Sequence, residues 1–114
     1  MATVNAEDFK TTKVRGLKDK LVIMLQMIRW QVGAPVYITS GIRPTDTDSE
    51  HSVGLGVDIS DNDDGEDLSS RWRFLALRAI FAMGIRRVGI YNKHIHIGIS
   101  ESKDQDVAWW GESK

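Results

Sequence analysis

The chain has 114 residues, 41% hydrophobic and 27% charged, with 15 Lys and Arg against 16 Asp and Glu and a formal net charge of −1. This is the length and composition of one globular domain with a single core, and its balanced charge argues against a nucleic-acid or anionic-membrane partner. The absence of cysteine excludes a disulfide framework, a thiol nucleophile and a thiolate metal site, so any metal must be held by nitrogen and oxygen.

The opening residues, "MATVNAEDFKTTKVRGLK", contain no apolar signal core. Residues 17–32 then place Leu17, Leu21, Met24, Leu25, Ile28 and Val32 at helical spacing, which predicts an amphipathic helix with a core-facing stripe. Gly33 and Pro35 end it, Gly33 as the cap. "VYITS" at 36–40 is β-branched and aromatic and predicts a strand. The Gly- and Pro-punctuated "GIRPTDTDSEHSVGLG" reads as a long loop, and "VDIS" at 57–60 as a second short strand. Residues 61–67, "DNDDGED", form an acidic turn.

Residues 68–83 predict a second helix, capped by Ser69 or Ser70 and ended by Gly84. Its core face would carry Trp72, Leu75, Ala79 and Met83, widened by Leu68 and Phe74. "RRVGIYN" at 86–92 and "HIHIGIS" at 94–100 read as two strands joined by a tight hairpin at Asn92-Lys93. The tail is polar except for Val107, Ala108, Trp109 and Trp110. The order predicts an α+β domain spanning 1–114, a mostly antiparallel sheet packed by two main helices. Trp30 and Trp72 are expected in the core or at its rim; Trp109-Trp110 could line a substrate cleft or cap the core, with capping the preferred expectation.

The chemistry gathers on one predicted sheet face. In "HIHIGIS" the period is two, so Ile95, Ile97 and Ile99 face the helices while His94, His96 and Gly98 face away. In "VDIS", Val57 and Ile59 share a face and Asp58 takes the opposite one. His51 lies in the loop that leads into this strand. Taken singly, each is an ordinary surface residue. Taken together, His51, Asp58 and His96 offer two nitrogens and one oxygen to a zinc ion and leave a fourth position open, as catalytic zinc sites do. Gly54 and Gly56 would let the backbone turn tightly into the ligand strand. The acidic turn does not fit a twelve-residue calcium loop: the register set by Gly65 starts at Ser60 and puts Arg71 at the bidentate position.

The pattern "SGIR…SEHSVGLGVDI…HIHIGIS" resembles the superfamily of zinc D-alanyl-D-alanine carboxypeptidases, bacterial and phage L-alanyl-D-glutamate endopeptidases, and the hedgehog signalling domain. The resemblance spans roughly residues 36–100, with Gly56 where the family usually has alanine. It implies a hedgehog/D,D-peptidase-like fold, with Zn2+ held by His51, Asp58 and His96. It makes His94 the acid, base or transition-state donor beside the metal, Arg43 the group that reaches a substrate carbonyl or carboxylate, and Ser49 a substrate-holding residue. Some members carry an acidic general base three residues before the last histidine ligand; that position here is Lys93, which leaves His94 as the leading candidate for proton transfer.

The resemblance therefore implies a metallopeptidase acting on peptidoglycan stem peptides, with the L-alanyl-D-glutamate and D-alanyl-D-alanine bonds both open. A zinc-binding module of the same fold without hydrolytic activity is the alternative. The enzyme is expected to be a monomer without membrane insertion or a nucleic-acid partner. It would be made in the cytoplasm without a signal peptide and reach the wall with a virion or at phage lysis, as endolysins do.

Overall fold

The structure is a computed structural model that describes residues 16–41 and 50–112. Two helices and five strands form an α+β fold: α1 (Asp19–Val32), β1 (Tyr37–Ser40), β2 (Gly56–Ser60), α2 (Ser70–Ala82), β3 (Arg87–Tyr91), β4 (Ile95–Gly98) and β5 (Val107–Gly111), with a 3-10 turn at Glu50–Val53 before β2. The strand order is β1-β2-β4-β3-β5. Among the described residues no helix is long and apolar enough to cross a membrane.

Both helices follow their apolar spacing. Leu21, Leu25, Ile28 and Val32 of α1 are buried, and Leu17 is buried just ahead of the helix. Each such side chain withdrawn from water contributes about 1.5–3 kcal/mol. The α1 backbone closes on Gly33 in the left-handed conformation. At the start of α2, Ser69 accepts a hydrogen bond from the Trp72 N–H at 3.0 Å, satisfying one of the orphan donors of the first turn. Trp72, Ala76, Ala79 and Ile80 are buried from α2. These residues form one cluster with Ile38, Val57, Ile59, Val88, Ile90, Ile95 and Ile97, so both helices cover the same face of the sheet.

The sheet is mixed rather than mostly antiparallel as expected. The pairs β1–β2, β2–β4 and β4–β3 are antiparallel, but β5 runs parallel to β3. The tail strand was not expected, because it is a five-residue segment that pairs, among the described residues, only with the distant β3. Its entry is set by Asp106, which has φ 60 and pairs with Arg86 at 2.7 Å, and by the Val107 N–H donating to the Arg86 carbonyl.

Three aromatic assignments are corrected. Phe74 is 62% exposed, because it lies outside the arc of α2 that meets the core. Trp30 is 87% exposed, neither core nor rim. The tail tryptophans do not cap the core: Trp110 is exposed, and Trp109 lies on the sheet face opposite the helices. The 61–67 turn is closed internally, with the Asn62 Oδ1 accepting from the Asp64 and Glu66 N–H groups and Asp61 accepting from the Ser69 N–H.

Candidate metal centre

Three elements deliver the site. Asp58 and His96 are register partners on β2 and β4, so alternation points both side chains away from the helices. His51 comes from the 3-10 turn, which folds back against β2. Gly54 makes that return possible: its φ is 75, and a Cβ there would collide with the Gly16 carbonyl.

The three side chains converge and are buried. Asp58 Oδ1 lies 2.9 Å from His96 Nδ1 and 3.3 Å from His51 Nε2. One ligand atom from each of the three lies within 4.8 Å of the others. Ligands placed tetrahedrally about 2 Å from a zinc ion stand roughly 3.4 Å apart, so the spacing suits a small divalent ion.

The outward nitrogens are also occupied. His51 Nδ1 lies 2.8 Å from the Gly41 carbonyl, an acceptor, so that nitrogen donates there and Nε2 is the ring atom turned toward Asp58. His96 Nε2 lies 3.1 Å from Glu50 Oε1. The donor set fits a divalent metal ion: two imidazoles and one carboxylate, with both ring tautomers compatible with ligation.

Electrostatics follow from this packing. Burial alone would raise the Asp58 carboxyl, but bonds from His51 and His96 outweigh it and hold the group well below the ordinary carboxylate range. Burial would likewise raise Glu50, yet His96, the Ser100 N–H and Arg87 bring it below its usual value. For His96 burial opposes the charged form, while Asp58 and Glu50 favour it more strongly, so its pKa is raised. Without a metal, the two carboxylates hold a proton on this ring; a metal would replace it.

His94 sits beside the site just ahead of β4, in the hairpin closed by the Tyr91 N–H donating to the His94 carbonyl at 3.0 Å. Its Nε2 is 3.8 Å from Asp58 Oδ2, and its ring stacks on Tyr91 with centroids 4.2 Å apart. Trp109 flanks His96 at 5.7 Å between ring centroids and donates from Nε1 to the Tyr91 hydroxyl at 3.0 Å. Arg43 and Ser49 lie outside the described residues.

Glu50 and Arg87 are the site residues that sequence reasoning missed. Glu50 is only 4% exposed. Its Oε2 accepts from Arg87 Nε at 3.0 Å and from the Ser100 N–H at 3.1 Å. The legible signal was Gly98: glycine inside a strand marks the close approach of another group, and a Cβ there would fall on the Glu50 carboxylate. Comparisons with protein-family models, curated proteins and solved structures returned no match.

Proposed function

We propose that this chain is a zinc metallopeptidase of the hedgehog/D,D-peptidase type that hydrolyses a peptide bond in bacterial peptidoglycan stem peptides. The observation that carries the reading is the contact of Asp58 Oδ1 with both His96 Nδ1 and His51 Nε2, while the remaining ring nitrogens are tied to Glu50 and the Gly41 carbonyl. This matches in kind the His, Asp, His set implied by "SEHSVGLGVDI" and "HIHIGIS".

A bound zinc would supply Lewis acidity and bring the ionisation of a water toward neutral pH. The chain's own groups do the rest. His94, with Nε2 3.8 Å from Asp58 Oδ2, is proposed to pass a proton to the leaving amine, an imidazole being the commonest general acid–base group. Glu50 is unsuited to that task, because it is buried, held ionised and engaged at both oxygens. Arg43 is proposed to hold a substrate carbonyl or carboxylate, its planar fork suiting two oxygens, and Ser49 to help hold substrate. Trp109 and Tyr91 give the site an aromatic flank.

The experiment is digestion of purified peptidoglycan with added zinc, read by mass spectrometry. New D-glutamate amino termini would identify the L-alanyl-D-glutamate endopeptidase, and released D-alanine the carboxypeptidase. The alternative, a zinc module without hydrolysis, is favoured by Lys93 at the position where some family members carry the acidic base. Tight zinc binding with no product would establish it. Delivery at phage lysis or with a virion, and action as a monomer, belong to the same proposal.

A further inference from the structure

Two carboxylates flank the His96 ring, one at each nitrogen: Asp58 Oδ1 at 2.9 Å from Nδ1 and Glu50 Oε1 at 3.1 Å from Nε2. Only one of them belongs to the three-residue ligand cluster. A neutral imidazole has one protonated and one lone-pair nitrogen, and its tautomer follows from the partner of each. A metal lying among His51 Nε2, Asp58 Oδ1 and His96 Nδ1 leaves the ring proton on Nε2, facing Glu50.

We propose that Glu50 is the positioning residue of this metal centre: it accepts the His96 Nε2–H and so commits Nδ1 of that ring to the metal. The inference rests on the metal-centre part of the proposed function and adds to it a residue outside the ligand set.

Among the described residues, every partner of the Glu50 carboxylate is a donor: His96 Nε2–H at one oxygen, Arg87 Nε–H and the Ser100 N–H at the other. An amide cannot replace it. Glutamine would turn its NH2 group toward one of these donors whichever way it flipped, leaving a buried mismatch. Arg87 is itself fixed, donating to the Asp104 carbonyl and lying over the Trp109 ring at 5.5 Å. Space for the carboxylate is made by Gly98, and Gly56 leaves room for the Glu50 Cβ, which a Cβ at Gly56 would approach to 2.6 Å. Glu50 and His51 share one 3-10 turn, so a single short segment supplies one ligand and the support for another.

The test uses zinc-loaded protein labelled with nitrogen-15, with long-range proton–nitrogen correlation of the histidine rings. In the wild type, His96 should show a metal-bound Nδ1 and a protonated Nε2 whose hydrogen exchanges slowly. Glu50→Gln should speed that exchange and weaken zinc binding in chelator competition by about 10–100-fold, with wild-type circular dichroism. A metal on Nε2, a fast-exchanging Nε2–H in the wild type, or Glu50→Gln binding zinc as tightly as wild type would each overturn the proposal. If Glu50→Gln fails to fold, the wild-type spectrum decides alone. Wild-type protein that takes up no zinc overturns the metal centre and this inference together, whereas zinc uptake without peptidoglycan cleavage removes only the peptidase reading.

Discussion

Asp58 and His96 are cross-strand partners on β2 and β4, and their side chains meet at 2.9 Å on the sheet face turned away from both helices. The same Asp58 oxygen also reaches His51 at 3.3 Å. Asp58 therefore joins a loop histidine to a strand histidine, and each of the three should be indispensable for metal. His51→Ala, Asp58→Ala and His96→Ala should each reduce bound zinc from one equivalent to near none, measured by atomic emission on dialysed protein. Full zinc affinity in the His51 variant would dismantle the constellation.

His94 should behave differently. It approaches Asp58 Oδ2 only to 3.8 Å, and its ring is braced against Tyr91 rather than among the ligands. His94→Ala should keep one equivalent of zinc and lose about 10²–10⁴-fold in turnover, the usual worth of general acid–base catalysis. Cleavage of peptidoglycan at the wild-type rate would remove His94 from proton transfer.

Much of this arrangement could be read before the structure, because period-two alternation fixes which side chains share a face. Ile95 and Ile97 are fully buried, and Asp58 and His96 stand on the opposite side. The α1 stripe was legible for the same reason at period 3.6. Non-local contacts were not legible. The β5 strand exists through its parallel pairing with β3, and Trp109 meets His96 only because of it. Glu50 was hidden in a polar loop, where nothing local distinguishes a solvated carboxylate from a buried one; its burial depends on Arg87 and Ser100, 37 and 50 positions away. Phe74 misled because hydrophobicity alone widened the α2 face beyond the arc that packs.

The Ser69 cap offers a control remote from the metal centre. Its Oγ satisfies the Trp72 N–H at the start of α2. Ser69→Ala should destabilise the fold by about 1 kcal/mol in urea denaturation while leaving zinc stoichiometry unchanged. Loss of zinc in this variant would mean that α2 is coupled to the site in a way its contacts do not explain.

Gly98 tests how tightly the Glu50 carboxylate is held. A Cβ at Gly98 would fall on that carboxylate, which His96, Arg87 and the Ser100 N–H hold from three sides. Gly98→Ala should therefore cost about 1–3 kcal/mol, the range for overpacking, and weaken zinc binding. An alanine variant as stable as wild type would show that the carboxylate can move aside freely.

The charged cluster also sets a pH optimum for the metal-free protein. Facing His96 are Asp58 and Glu50, with His51 beside it and Arg87 behind Glu50. Asp58 and Glu50 are held below their ordinary values of 3.8 and 4.5. Their contribution is present above those values and is lost as pH falls through the lower folded-state values. His96 is raised above its ordinary 6.5, so its contribution is full below that value and is lost as pH rises through the folded one. Stability without metal should thus be greatest between these limits, falling on both sides. Urea midpoints at about pH 3, about pH 5.5 and about pH 8 would show the peak in the middle. Saturating zinc should reverse the alkaline loss, because the metal binds the neutral ring and competes with the proton. A metal-free protein more stable at the alkaline point than at the middle one would contradict the charged pairing of His96 with its two carboxylates.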